Sequence, residues 1–198
     1  MRAMGFRGQA APQRDITGKV LMVEIYDPPI PWTGQLETPL TLFRTTVRPE
    51  WIDEFEHVSF DRYLTIGSHA NWAFWNWINS PEGTMAEREG HESVVVESHV
   101  NYIRELSLGT TIHCSSQLID FDDKRYLLLN QIWKSGGVLA ATNELKCLGF
   151  NLRTRRAEKW RPKVRERLTF VLDVQGKTCW PLLDSCIALN GKRGSATS

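Results

Sequence analysis

The sequence predicts an α+β domain in which one antiparallel sheet curls around a long central helix. Three observations lead there. Residues 60–78, FDRYLTIGSHANWAFWNWI, repeat apolar or small side chains at helical spacing, at Phe60, Tyr63, Leu64, Gly67, Phe74, Trp75 and Ile78, with one polar slot at Asn71. Apolar bulk also covers the other faces, at Ile66, Trp72 and Trp77, and a helix greasy nearly all round must be enclosed by other structure. Four strand-like segments follow, over 92–104, 110–121, 125–134 and 138–152, joined by ELSLG, DFDDK and KSGG, and they read as an antiparallel meander. A sheet that wraps the helix satisfies all three.

Taken in order, GKVLMVEIY (18–26) reads as a short strand closed by DPPIP. TLFRTTV (41–47) is a second strand, and Pro49 ends its pairing because proline has no N–H to give. Gly67 in mid-helix costs about 1 kcal/mol relative to alanine, which a close approach of the sheet would justify. SPEG (80–83) stops the helix. In SVVVESHVNYIRE the alternation puts Val94, Val96, Val100 and Tyr102 on a packed side, with Glu97, His99, Asn101 and Glu105 on a wetter one. Pro162 opens a short helix, PLLDSCIALNG (181–191) reads as another, and GKRGSATS is a frayed end.

At 198 residues the chain is long enough for one core and short for two. No run approaches the roughly 20 apolar residues of a membrane helix and the N-terminus has no apolar signal core, so a cytoplasmic protein with no membrane partner is expected. Arg2, Arg7 and Arg14 suit a mitochondrial address, but Gly5, Gly8 and Pro12 break any amphipathic helix, which favours a disordered tail. The four cysteines, 114, 147, 179 and 186, form no C-x-x-C pair and are read as reduced thiols. His69 and His113 lack ligand-spaced partners, so no metal is expected.

Residues 153–167, RTRRAEKWRPKVRER, carry eight basic and two acidic side chains, a local charge of +6 in a chain whose total is +1, which leaves −5 for the rest. That asymmetry suits an anionic partner, or a solvated face. With Trp160 as a stacking platform the run would also suit nucleic acid, although no recognition module accompanies it.

The stretch VRPEWIDEFEHVSFDRY (47–63) carries the chemistry. Asp53 is either a general base or nucleophile, or a turn former. Ser59 suits a helix N-cap, with Asp61 in the first turn. His57 could orient Asp53 or fix the loop, and Tyr63 could simply be core. A second carboxylate at Glu56 would perturb Asp53, recognise a cationic acyl group, or be a solvated turn residue. Trp72, Trp75 and Trp77 could line a pocket or form core, and Glu97 and His99 could meet substrate or an interface.

The element order together with VRPEWID, the histidine four residues after the aspartate and the tyrosine six further on resembles the hotdog-fold acyl-CoA thioesterases of the 4-hydroxybenzoyl-CoA thioesterase type. HVNYIRELSLGTTI (99–112) and LAATNE (139–144) look especially like the betainyl-CoA thioesterases and the thioesterase module of carnitine dehydrogenases. The similarity covers about residues 41–168, which implies an N-terminal extension over 1–37, a hotdog domain over 38–168 and a C-terminal extension over 169–198. The resemblance implies an acyl-CoA substrate, a homodimer with the ligand between subunits, no cofactor, Asp53 as the catalytic carboxylate with His57 beside it, and the amides near Ser59 and Phe60 as oxyanion donors. Glu56 and Tyr63 would then touch substrate, and Arg153, Arg155 and Arg156 would hold coenzyme A phosphates. The family pattern runs Asp, two residues, Gly, His, an aliphatic residue, Asn, three residues, Tyr. Here Asp53, His57 and Tyr63 match, while Glu56 replaces the glycine and Ser59 the asparagine. Those departures leave open a hotdog protein that binds acyl-CoA without turnover. A hotdog hydratase would set its histidine five residues after the aspartate; the interval here is four.

Overall fold

A computed structural model describes residues 30–176, together with the backbone of two short paired strands, β1 (Gln13–Arg14) and β2 (Val20–Leu21). The rest of the predicted strand at 18–26, the predicted helix at 181–191 and two of the cysteines lie outside the described residues. Next come β3 (Leu40–Thr46), a 3-10 turn at Pro49–Trp51, helix α1 (Phe60–Asn79), β4 (His91–Tyr102), β5 (Thr111–Phe121), β6 (Arg125–Lys134), β7 (Val138–Asn151), the two-residue β8 (Arg156–Ala157) and α2 (Pro162–Gln175). The class is the α+β hotdog arrangement that the sequence predicts.

The long strands run in the order β3-β5-β6-β7-β4, all pairs antiparallel, with β8 added to β7. Only β5, β6 and β7 form the expected meander. Instead of neighbouring β5, β4 crosses to the far edge and pairs with β7, while β3 takes the place beside β5. The β6–β7 hairpin turns through Gly136 and Gly137, both at positive φ (85° and 72°), a conformation glycine adopts without steric cost.

Helix α1 lies against the sheet. Ile66, Ala70, Phe74 and Ile78 are fully or almost fully buried, and Trp75 and Trp77 join them. Gly67 is where helix and sheet come closest: a Cβ there would stand 2.3 Å from Asn143 Oδ1, and Asn130 Nδ2 donates to Gly67 O at 3.3 Å. The polar slot at Asn71 is likewise used. Its Oδ1 accepts from the Tyr126 hydroxyl at 2.9 Å, and that hydroxyl lies 2.7 Å from Ser93 Oγ. The enclosure is incomplete at the start of the helix, where Phe60 is 73% and Leu64 46% exposed.

The alternation of β4 holds only in its second half. A register shift between Val95 and Glu97 inserts one extra residue opposite the Cys147–Lys146 pair of β7. An extra residue reverses the parity of the strand. Ser93 and Val95 therefore share the helix side with Cys147 before the shift, and Ser98, Val100 and Tyr102 share it afterwards. Val94 and Val96, expected on the packed side, do not follow it, and Val96 is exposed.

Further chain belongs to the same packed unit. Helix α2 runs on through 168 to Gln175 and buries Leu168 and Val171 in the α1 core, while Trp32 and Leu36 pack against that core from before β3. Trp32 meets Trp77 at 4.5 Å between ring centroids, with the Arg167 guanidinium 4.6 Å over the Trp32 ring.

Candidate active site

The 3-10 turn begins at Pro49, whose fixed φ suits a first helical position, and a lone bridge between Ile52 and Val58 then pinches off the loop 53–57. Inside it, Asp53 N donates to His57 O at 3.0 Å and Glu56 N to Asp53 O at 3.1 Å. The Asp53 side chain faces the same loop: Oδ1 accepts from Phe55 N at 2.9 Å, an Asx turn that fixes the carboxylate. Among the described residues, Oδ2 has no bonding partner. His57 Nδ1 stands 3.7 Å from Asp53 Oδ1, too far for a hydrogen bond but close enough for electrostatic contact.

Glu56 takes the left-handed conformation, φ 65°. Glycine, the residue the family pattern carries at that place, adopts this conformation without the steric cost that a side chain brings. The Glu56 side chain is exposed and does not line the groove beside Asp53.

Ser59 has the backbone of an N-cap but makes no capping hydrogen bond through its side chain. Its hydroxyl instead sits beside Asp61, whose carboxyl it holds below the ordinary carboxylate range. The Ser59 amide is also engaged, donating to Trp51 O at 2.9 Å. Of the two amides expected to receive an oxyanion, that of Phe60 alone is left open among the described residues, at the positive end of α1.

A groove of about 410 Å³ runs past these groups, lined by Asp53, Phe55, His57, Phe60 and Tyr63 on one side and by the strap 102–105 on the other. The strap escaped the sequence reading. Tyr102 looked like a core member of an alternating strand, but it is more than half exposed because β4 is the sheet's edge. Glu105 is read from the sequence only as part of the wetter side of its strand, and Arg104 only as part of the stretch HVNYIRELSLGTTI. Trp75 and Trp77 are core, and Trp72 lies under the Arg88 guanidinium at 5.7 Å; none of the three lines the groove. Glu97 pairs with Lys146 at 2.6 Å on the sheet face away from α1.

The basic run divides in two. Lys159 and Arg165 both pair with Asp123, Arg161 with Glu89 at 2.8 Å and Lys163 with Glu82 at 2.9 Å, so much of its charge is compensated within the chain. Trp160, 5% exposed and packed on Tyr126 and Trp75, is no stacking platform for bases. Arg153, Arg155 and Arg156 remain exposed at the β7–β8 turn, Arg155 lying 5.4 Å over the Phe150 ring. They sit at the end of the β4–β7 ladder where His91 meets Asn151, whereas the groove adjoins the end where Tyr102 meets Ala141. At ~3.3 Å per residue the two ends are roughly 30 Å apart in one protomer.

Residues 47–168 match the thioesterase-like superfamily, and the chain belongs to it. Among curated proteins it is 28% identical over 134 residues to the L-carnitine dehydrogenase/betainyl-CoA thioesterase of Agrobacterium fabrum, a match spanning 68% of this chain and 27% of that protein. It is 29% identical over 108 residues to the betainyl-CoA thioesterase of Pseudomonas aeruginosa, spanning 54% of this chain and 67% of that one. The chain thus spans about a quarter of the length of the first relative and about two thirds of the second. Among solved structures it is similar to a Staphylococcus aureus protein in complex with CoA, with a TM-score of 0.66 and 27% identity over 75% of this chain and 94% of that one. The DHNA-CoA thioesterase of Staphylococcus aureus shares the fold, with a TM-score of 0.61 at 18% identity over 68% of this chain and 93% of that one.

Proposed function

We propose that the chain hydrolyses an acyl-CoA thioester to the free acid and coenzyme A. One observation carries this reading: a carboxylate with one oxygen tied to its own loop and the other uncommitted shares a groove with the open first turn of a buried helix. Asp53 either attacks the thioester carbon, expelling the CoA thiolate and leaving a mixed anhydride for water to cleave, or removes a proton from the attacking water. In both routes the carbonyl oxygen gains negative charge, and the Phe60 amide with the positive pole of α1 stabilises it. The departures at Glu56 and Ser59 do not remove these elements, which favours turnover over silent binding.

The ligand is proposed to lie between two copies of the chain. Among the described residues β4 pairs on one side only, and its free edge carries the exposed Val95 and Val96. Antiparallel pairing of two such edges would bring the arginine turn of one protomer, Arg153, Arg155 and Arg156, towards the groove of the other, where it would meet coenzyme A phosphates. For the acyl group, the aromatic lining of Phe55, Phe60, Tyr63 and Tyr102 with Glu105 suits a quaternary ammonium, as the names of the curated relatives suggest. In this reading Glu105 takes the part that the sequence reading offered to Glu56.

A screen of thiol release across short, aromatic and cationic acyl-CoAs tests the reading. The Asp53→Asn variant is expected to fold normally and to lose on the order of 10²- to 10⁴-fold in turnover. Mixing it with a variant lacking the three arginines should restore part of the activity, because a mixed dimer holds one complete site. Unchanged turnover in Asp53→Asn removes Asp53 from the mechanism, and failure of complementation removes the shared site.

A further inference from the structure

Two tyrosine hydroxyls in the groove are committed to backbone groups rather than left for substrate. The Tyr63 hydroxyl accepts from Leu106 N at 3.2 Å and donates to Arg104 O at 3.4 Å, so it holds the strap at two points. Leu106, itself fully buried, returns a carbonyl that accepts from Val58 N at 2.8 Å, the residue that closes the Asp53 loop. The Tyr102 hydroxyl donates to Phe60 O at 3.3 Å, and the two tyrosine rings meet edge to face at 5.3 Å. The first turn of α1 and the strap are therefore tied to each other by this pair of side chains, and the strap is tied to the Asp53 loop by the Val58–Leu106 backbone bond that the Tyr63 hydroxyl helps to position.

Resting on the thioesterase reading above, the geometry points to Tyr63 and Tyr102 as a clamp that sets the distance between the Asp53 carboxylate and the Phe60 amide. They are positioning residues: neither hydroxyl handles the reacting atoms. This reassigns Tyr63, which the family pattern alone would place on substrate. It also makes the end of β4 part of the catalytic geometry. Ground-state binding across the groove depends on the lining rings, which phenylalanine preserves, whereas alignment of the carboxylate with the oxyanion donor depends on the hydroxyls.

The test uses the full chain with Tyr63→Phe and Tyr102→Phe. Each variant is expected to lower kcat by about tenfold to a hundredfold with KM within about threefold of wild type, since small misplacements of reacting groups cost this much. Amide hydrogen exchange supplies a readout independent of turnover: Tyr63→Phe should speed exchange at Leu106. A KM increase with kcat unchanged would make the hydroxyls substrate contacts and overturn the clamp, as would Leu106 exchange that does not change. If the wild-type chain cleaves no acyl-CoA, the thioesterase reading falls instead, and the exchange measurement alone then decides whether Tyr63 fastens the strap.

Discussion

At its carboxyl end, α1 gives up its last carbonyls to cations of the same chain. Lys163 Nζ donates to Asn79 O at 3.1 Å, and Arg167 donates to Ile78 O at 2.8 Å and Ser80 O at 2.7 Å. Around that end Arg88 and Glu92 form a buried ion pair at 2.8 Å, with the indole of Trp75 donating to the other Glu92 oxygen at 2.7 Å. At the amino end the Phe60 amide is left open, Phe60 and Leu64 face outward, and Glu56 is held in a left-handed turn. The same helix is closed at one end and unfinished at the other. The difference teaches where this fold places its stability: the carboxyl end is closed by cations and a buried ion pair, while the amino end keeps the open first-turn amide that any helix has and that solvent or a ligand can reach.

Perturbing the two ends should therefore separate stability from turnover. The largest stability effect is expected from Arg88→Met, which strands a buried Glu92 carboxylate. Breaking a buried pair costs about 3–5 kcal/mol, read as a lower urea midpoint, and the double replacement with Glu92→Met should recover much of it. Hydrolysis per folded molecule should barely change. Gly67→Ala attacks the middle of the helix by forcing a methyl group into Asn143, and about 1–3 kcal/mol should be lost. The smallest effect lies at the open end, where Glu56→Gly relieves a left-handed residue and should raise stability by up to about 1 kcal/mol, with kcat unchanged. A fall in stability there would mean that the Glu56 side chain holds the loop after all.

Much of this architecture was legible in residue order. The spacing in 60–78 predicts a helix that ends within one residue of the observed one, and its two irregularities, Gly67 and Asn71, prove to be the points where helix and sheet meet. What stayed hidden depends on residues distant in sequence. The path of β4 to the far edge rests on pairing with β7, which periodicity does not encode. The bulge at Val96 reverses one strand's parity without any glycine or proline to announce it. The basic run looked like a surface for an anionic partner, but its partners include Asp123, Glu89 and Glu82, acids that come 36 to 81 residues earlier in the chain. At the candidate site, the motif located Asp53 and the helix start, while the opposite wall at 102–105 comes from a strand end that only the fold brings near.

The capping of α1 by Lys163 and Arg167 has one electrical consequence. With its negative pole neutralised from within, the helix presents an unbalanced partial positive charge at Phe60, where the acid of the first turn, Asp61, is itself paired with Arg62 at 3.5 Å. The field of a helix pole falls off within the first turn and salt screens it beyond, so an oxygen seated against the amide is favoured far more than one at a distance. Such a field rewards arrival at the destination rather than the journey to it.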